Sequence, residues 1–206
     1  MIDELIQHFD RALKTLTGSN NARRDNPSNA IDEAELSDAE RVHAAGLMRV
    51  NHAGEVCAQA LYEGQAMMAR EPIVRQRLLD AASEEADHLA WCADRLDQLE
   101  SRPSALNPFF YAASYAMGAL TGLAGDKVSL GFVEATEDQV CGHLERHLQA
   151  LPEQDHKSRE IVARMHEEEA RHGTDALALG GAEFPQAIKQ AMTLLSKMMT
   201  ETTYRV

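Results

Sequence analysis

Apolar residues recur along this chain at intervals of three and four, the spacing that places side chains on one face of an α-helix. Turn signals interrupt the pattern at Pro72, Pro103, Pro152 and the Gly180-Gly181 pair. An amphipathic helix with Leu5, Phe9, Leu13 and Leu16 on one side opens the chain. Beyond it the pattern predicts helices over about 37–70, 72–101, 126–151, 153–180 and 184–203.

Composition supports an all-α fold, because only 5% of the residues are aromatic and strong helix formers dominate. Ser37 and Glu40 have the spacing of a capping box, which predicts the start of the first long helix. The stretch GSNNARRDNPSN at 18–29 is typical of a loop or flexible linker. We therefore predict an N-terminal helix and polar linker over 1–30 and a helical bundle over 31–206.

The net charge of −13 argues against nucleic acid as a partner, since a polyanion would be repelled by most of the surface. Three cysteines show no CxxC spacing and lie in apolar helical stretches, which is typical of reduced thiols. The N-terminus is acidic and lacks the basic and apolar regions of a secretory signal. These features predict a protein that stays in the compartment where it is made.

Glu-x-x-His occurs four times, and a chain of 206 residues with 20 glutamates and 9 histidines is expected to contain just under one such pair by chance. Glu40 of the first pair already has a role in the capping box. Glu153 and His156 lie in a predicted turn, where a surface position is expected. Two pairs then remain as candidates for chemistry: Glu85/His88 and Glu169/His172.

The positions of two further glutamates match these pairs. In antiparallel helices, residues equally far from the connecting turn lie at the same height. Glu55 and Glu85 are centred on the turn at Pro72, and Glu137 and Glu169 on the turn at Pro152. The spacing predicts that each Glu-x-x-His faces a glutamate of the preceding helix.

The two halves also repeat each other, because 84 residues separate both Glu85 from Glu169 and His88 from His172. Two packed helical hairpins would bring four glutamates and two histidines to one level, which is the ligand set of di-iron and di-manganese carboxylate bundles. Two divalent cations would balance four buried carboxylates. Carboxylate and imidazole ligands suit iron or manganese. The alternative is that these glutamates are solvated charges on helix surfaces.

Beyond these spacings, the stretch LMRVNHAGE at 47–55 and the continuation ALYEGQ at 60–65 resemble the first ligand helix of the Coq7 family of demethoxyubiquinone hydroxylases. The resemblance covers about residues 40–180 and implies a ferritin-like four-helix bundle with a long hydrophobic crossover and extra terminal helices. It implies two iron ions bound by the following residues, with Glu85 and Glu169 able to bridge them: Glu55, Glu85, His88, Glu137, Glu169 and His172.

The resemblance further implies hydroxylation of the ring of a polyprenylated demethoxyubiquinol with O2, in ubiquinone biosynthesis. No dinucleotide-binding fingerprint is evident, so NADH stays open as a reductant that would act without a Rossmann domain. Tyr62 is a candidate for proton or electron transfer, Asn51 and His52 for supporting a ligand, and His143 for proton transfer. Each of these four is equally compatible with ordinary packing. Relatives often carry His-Tyr after the third-helix glutamate, whereas Leu144 follows His143 here.

Residues 103–125 contain no charged side chain, which is close to the length of a membrane span. A true crossing would separate the four ligand helices, so we expect this segment to return and to cover the end of the bundle. Its aromatic residues, Phe109, Phe110, Tyr111 and Tyr115, would then contact lipid or guide a prenyl tail. A buried crossover or an oligomer contact is the alternative. These expectations indicate a peripheral protein on the cytoplasmic face of the cell membrane, where other ubiquinone-biosynthesis proteins are further potential partners.

Two other functions use similar features. A ferritin or bacterioferritin-like protein that oxidises and stores iron has nearly the same ligands, although the NHAGE run and the uncharged crossover do not favour it. A metal-free helical interaction protein is the alternative outside enzymology. Iron content distinguishes this last alternative from the hydroxylase.

Overall fold

The computed structural model describes residues 2–18 and 22–206, without the side chains of residues 2–5, 7 and 8. The regular elements of this part are α1 (Ile2–Thr17), α2 (Asp38–Met68), α3 (Pro72–Gln98), α4 (Asn107–Leu123), α5 (Asp126–Ala150), α6 (His156–Ala178) and α7 (Gln186–Thr203). All of them are α-helices, which confirms the predicted class.

The helices α2, α3, α5 and α6 form a bundle of two antiparallel hairpins. Helix α2 begins with the predicted capping box, in which the backbone N–H of Ser37 donates to Glu40 at 2.9 Å and the Ser37 side chain caps the Glu40 N–H. Pro72 occupies the first turn of α3, where its missing N–H has no helical partner to lose. In the other hairpin, Asp155 caps α6 by accepting from the Ser158 N–H at 3.0 Å.

Two apolar clusters fill the bundle at different heights. One cluster includes Met48, Trp91, Leu144 and Met165, and the other includes Tyr62, Leu78, Val133 and Ala176. Each cluster takes side chains from all four bundle helices. The candidate ligands lie between the two clusters along every helix, so the polar level of the bundle is enclosed by apolar packing on both sides.

Helix α4 corrects the expectation that the uncharged segment covers the end of the bundle. It runs along the side of α2, from Asn107 beside His52 to Gly122 beside Met68. A side chain at Gly118 would collide with the backbone oxygen of Leu61, so the two helices approach as closely as their backbones allow. The crossover spans the length of the bundle because the chain must return from the end of α3 to the start of α5.

The segment before α2 is a loop, which is one of the two forms expected for it. Residues 22–36 are not helical, as predicted, but they are anchored on the bundle and are no free linker. Arg23 and Arg24 bind Asp87 of α3, and Glu33 accepts from the buried Arg95 at 2.7 Å. The proposed domain boundary at residue 30 therefore falls inside a packed stretch, and it remains a prediction.

The terminal helices add to the outer surface of α2. Tyr204, directly after α7, packs on Gly46, and its hydroxyl lies 2.7 Å from His43 Nδ1. Helices α1, α4 and α7 each leave large apolar side chains exposed, among them Phe9, Phe109 and Leu194. Among the described residues, the helices are too short or too polar to cross a bilayer.

Candidate metal centre

The structure brings all six predicted ligands together inside the bundle. Ligand atoms of Glu55, Glu85, His88 and Glu169 lie within 4.8 Å of one another, and so do those of Glu137, Glu169 and His172. None of the six residues exceeds 8% exposure. The two groups share Glu169, so the predicted register of both hairpins produces a single site with two adjacent halves.

Glu85 and Glu169 lie in the middle of this site. Each carboxylate directs one oxygen to each histidine: Glu85 lies 3.1 Å from His88 Nδ1 and 3.2 Å from His172 Nδ1. The oxygens of Glu169 lie at the same two distances, 3.1 Å from His88 Nδ1 and 3.2 Å from His172 Nδ1. Each of these two carboxylates therefore presents one oxygen to each half of the site.

The pKa values reflect a strongly negative, poorly solvated pocket. Burial raises the pKa of Glu55 and of Glu137 well above the ordinary carboxyl value, and neighbouring carboxylates add to the shift. Burial opposes ionisation of Glu85 as well, but hydrogen bonds from the two histidines outweigh it and lower its pKa. Burial likewise opposes protonation of His88 and His172, yet their hydrogen bonds to carboxylates raise the pKa of both. Such a pocket favours cations.

The donor atoms fit metal ions. Among the six candidate ligands, the buried Oε2 of Glu137 has no hydrogen-bond partner within the described part of the chain. An unpaired buried carboxylate oxygen is costly, and a divalent cation removes that cost. Four carboxylates and two imidazoles form a mixed oxygen and nitrogen set that suits iron or manganese. These buried carboxylate and histidine groups could therefore hold metal.

Tyr62 lies at the site, as expected. Its hydroxyl donates to Glu137 Oε1 at 2.5 Å, and its ring meets that of His172 edge-on with centroids 6.0 Å apart. Burial raises the pKa of Tyr62 well above its ordinary value, and the nearby Glu137 adds to the shift. The phenol therefore stays protonated and acts as a donor to the carboxylate.

His143 is not brought to the site. It lies against His147 with ring centroids 3.9 Å apart, in a cleft between α5 and α7, and burial lowers its pKa to about 4. The reason is helical geometry: six residues after Glu137, a side chain has turned about 600° and leaves the face that carries the ligands.

The two supporting residues expected near Glu55 also have other partners. The Asn51 amide contacts Met48 Sδ at 3.8 Å, and His52 pairs with Asn107 of α4 at 3.3 Å. Burial lowers the pKa of His52 to about 4. Neither side chain hydrogen-bonds to any of the six candidate ligands, so their observed roles are in packing around α2.

Two further carboxylates, which were not predicted from the sequence, contact the Nε2 atoms of the two candidate histidines. Glu168 accepts from His88 Nε2 at 2.8 Å, and Glu84 lies 3.2 Å from His172 Nε2. Each of these glutamates comes from the helix opposite to its histidine. An acceptor at Nε2 fixes the ring and leaves Nδ1 for a metal. A signal was present, because the 84-residue repeat extends to the doublets Glu84-Glu85 and Glu168-Glu169.

A cavity of about 210 Å³ adjoins the site between α3, α5 and α6. Tyr62 and His172 form part of its wall, together with Leu78, Leu130 and Val133. Charged residues complete its lining, among them Arg77, Asp80, Arg171 and Asp175. An engineered apolar cavity of about 150 Å³ is large enough for benzene, so a single substituted ring fits a space of this size.

Comparisons with known proteins agree with this geometry. The family model described as "Ubiquinone biosynthesis protein COQ7" matches residues 41–203. A protein of Ralstonia pickettii (strain 12J) named 3-demethoxyubiquinol 3-hydroxylase is 53% identical over the full length of both chains. A Marinomonas protein (strain MWYL1) of the same name is 55% identical, over 100% of this chain and 98% of its own. The chain therefore belongs to the COQ7 family of ubiquinone biosynthesis proteins.

Proposed function

We propose that this protein is a 3-demethoxyubiquinol 3-hydroxylase, an O2-dependent di-iron monooxygenase that adds one hydroxyl to the ring of a polyprenylated demethoxyubiquinol. The buried cluster of four glutamates and two histidines carries the proposal, together with relatives of that name that are over 50% identical along the chain. An iron-storage role is not favoured, because the similar proteins are named as hydroxylases.

The residues divide into two half-sites. Glu55 and His88 would hold one iron, Glu137 and His172 the other, and Glu85 and Glu169 would bridge them. When bound, the iron pair would activate O2, one atom of which is transferred to the ring. The second oxygen atom leaves as water, which requires two electrons and two protons for each turnover. NADH is a candidate for the reductant.

The protein itself contributes position and exclusion of water. The apolar clusters on both sides of the site keep bulk solvent from the candidate ligands, which are at most 8% exposed. The cavity beside Tyr62 and His172 would hold the quinol ring next to the second half-site. Tyr62 would orient Glu137 through its hydroxyl and hold a proton beside that carboxylate.

A lipid substrate explains the uncharged helix α4. Its outer face exposes Phe109 by 69%, Leu120 by 62% and Leu123 by 59%, while Tyr111 is buried against α2. We propose that the exposed face of residues 103–125 rests on the cytoplasmic surface of the cell membrane, where the quinol and partner enzymes of its biosynthesis would be met. Sedimentation with phospholipid vesicles tests this contact. If a Phe109→Ser, Leu120→Ser variant sediments with the vesicles to the same extent as the unaltered protein, the exposed face of α4 does not make this membrane contact.

Complementation tests the proposed activity. Cells that lack this protein should accumulate demethoxyubiquinol and regain ubiquinone when the unaltered chain is supplied. A Glu169→Ala copy should fail, because it removes the carboxylate shared by both half-sites. Glu167→Ala is the matched control, since that side chain is 73% exposed two residues away. Restoration of ubiquinone by the Glu169→Ala copy would refute the assignment.

A further inference from the structure

The N-terminal segment, defined here as residues 22–33, reaches the candidate metal centre through one side chain. The segment lies before the residues matched by the family model, which begin at 41. It crosses the outer faces of α3 and α6, where Asn26 and Ser28 are buried. Its position raises the question of what an extended polar stretch contributes so close to the metal ligands.

Arg24 connects this segment to both helices at once. Its Nε donates to Asp87 Oδ2 at 2.6 Å, and its Nη1 donates to the two oxygens of Glu168 at 2.7 and 2.8 Å. The guanidinium lies 4.9 Å from the centre of the Trp91 ring. Both acceptors are almost fully buried, with 4% exposure for the Asp87 side chain and 6% for that of Glu168. Hydrogen bonds between a guanidinium and carboxylates are about twice as strong as those between neutral groups.

Glu168 connects Arg24 to His88. Its Oε2 lies 2.8 Å from His88 Nε2, on the side of the ring opposite to the candidate metal ligands. On the inner side, His88 Nδ1 lies 3.1 Å from both Glu85 and Glu169. Arg24 fixes Glu168, and Glu168 fixes the imidazole with Nδ1 directed inward.

The second half-site has a corresponding support that is more exposed to solvent. His172 has Glu84 as its outer carboxylate, but the Glu84 side chain is 34% exposed. The arginine bound to Glu84 is Arg171 of α6, which is itself 52% exposed and has no link to the N-terminal segment. The two half-sites therefore have equivalent inner residues and unequal outer support.

We infer that Arg24 is a positioning residue for the His88 half-site, and that the N-terminal segment thereby slows metal loss from this half of the centre. The inference rests on the proposed di-iron site. An outer partner of a metal-bound histidine typically contributes about 10- to 100-fold in metal affinity. Because Arg24 acts through Glu168, its removal should have an effect of that order or somewhat less.

Release of ferrous iron from the full-length protein to the chelator ferrozine tests the inference. The protein is loaded without O2, and the rate is followed by absorbance. We expect two phases in the unaltered protein, with the slower phase accelerated about tenfold or more by Arg24→Ala. Arg24→Lys should be intermediate, because an ammonium cannot bind both carboxylates in the same fork. Arg41→Ala removes a surface arginine paired with Asp38 and Glu100 and should leave both phases unchanged.

Glu168→Gln tests the same chain of contacts with a side chain of nearly unchanged size. It should accelerate the same phase, and Arg24→Ala added to it should have little further effect, because both changes act on one chain of contacts. The visible spectrum of the Co²⁺-substituted protein should change in both variants. If Arg24→Ala lowers the melting temperature of the metal-free protein but leaves iron release and the Co²⁺ spectrum unaltered, the role is structural and the inference is wrong.

These outcomes separate the inference from the proposed function. An unaltered protein that binds no iron pair contradicts the di-iron assignment. An unaltered protein that binds two irons, with Arg24→Ala and Glu168→Gln releasing them at the same rates, contradicts only the role of Arg24.

Discussion

At the scale of single residues, the site depends on carboxylates that water cannot reach. Glu85 is fully buried, and Glu55, Glu137 and Glu169 are at most 3% exposed. Isolated anions at such positions would be expensive, so a sequence that keeps four of them together implies a compensating positive charge. Two protonated histidines provide part of it, and two divalent cations would provide all of it.

Tyr62 supplies a prediction at this scale. Tyr62→Phe keeps the ring against His172 but removes the 2.5 Å hydrogen bond to Glu137. We expect iron content to stay near that of the unaltered protein and quinol hydroxylation to fall by about tenfold or more, since a hydrogen bond to a charged group contributes about 1.5 to 3 kcal/mol. Tyr204→Phe is the matched control, because its hydroxyl binds His43 outside the site. Equal hydroxylation rates for Tyr62→Phe and the unaltered protein would count against a role for this hydroxyl.

At the scale of elements, the four ligand helices and their register could be predicted, and the course of α4 could not. The hairpin turns at Pro72 and Pro152 determine which residues of adjacent helices share a height, and this relation places the six candidate ligands together. Helix α4 has no tight turn or matched ligand that relates it to a neighbouring helix, so its position on the bundle could not be predicted from the sequence. The close approach of Gly118 to Leu61, which determines that course, becomes visible only in three dimensions.

The positions of some individual residues also could not be predicted from the sequence. His143 was a candidate because it follows Glu137 closely in sequence, although helical rotation directs it to another face. Arg24 was assigned to a linker, because no local pattern shows that an arginine at this position meets Asp87 and Glu168. Contacts between residues 63 and 144 positions apart depend on the final packing of the helices.

The contact between α2 and α4 gives the prediction for this scale. Gly118→Ala places a methyl group against the Leu61 backbone oxygen, and the helices must separate. We expect the free energy of unfolding to fall by about 1 to 3 kcal/mol, as for other overpacked sites. Gly142→Ala in α5 meets only an ordinary contact with Arg146 at 3.6 Å, so it should gain about 0.5 to 1 kcal/mol from helix propensity. Urea unfolding measures the free energy of unfolding of both variants. A decrease for Gly118→Ala and an increase for Gly142→Ala are expected, and changes of the same sign would contradict this packing.

At the scale of the whole molecule, the fold places a charged layer in the middle of an apolar bundle. The clusters around Met48 and around Tyr62 stabilise the two ends, while the layer between them costs free energy whenever its charges are unbalanced. Stability and metal binding are therefore coupled, because whatever binds the folded site stabilises the fold.

This coupling predicts opposite pH dependences with and without metal. In the metal-free protein the pKa values of His88 and His172 are raised in the fold, so the folded state holds more protons than the unfolded chain above about pH 6.5. The raised pKa values of Glu55 and Glu137 act in the same direction. The free energy of unfolding should therefore fall as pH rises from 6.5.

Metal reverses the sign, because it binds the deprotonated ligands and its affinity grows with pH. The melting temperature of the protein loaded with Fe²⁺ under anaerobic conditions should hold or rise between pH 6.5 and 8, while that of the chelator-treated protein falls. Parallel curves for the two forms would show that the four carboxylates and two histidines do not bind the metal.

Binding of two irons by six side chains of one chain can be measured by Mössbauer spectroscopy of protein reconstituted with ⁵⁷Fe, combined with metal analysis. We expect two irons for each chain in a single spin-coupled centre, and a loss of that centre in Glu169→Ala, whose carboxylate belongs to both half-sites. Fewer than two irons in the unaltered protein, or an intact coupled pair in Glu169→Ala, would contradict this expectation.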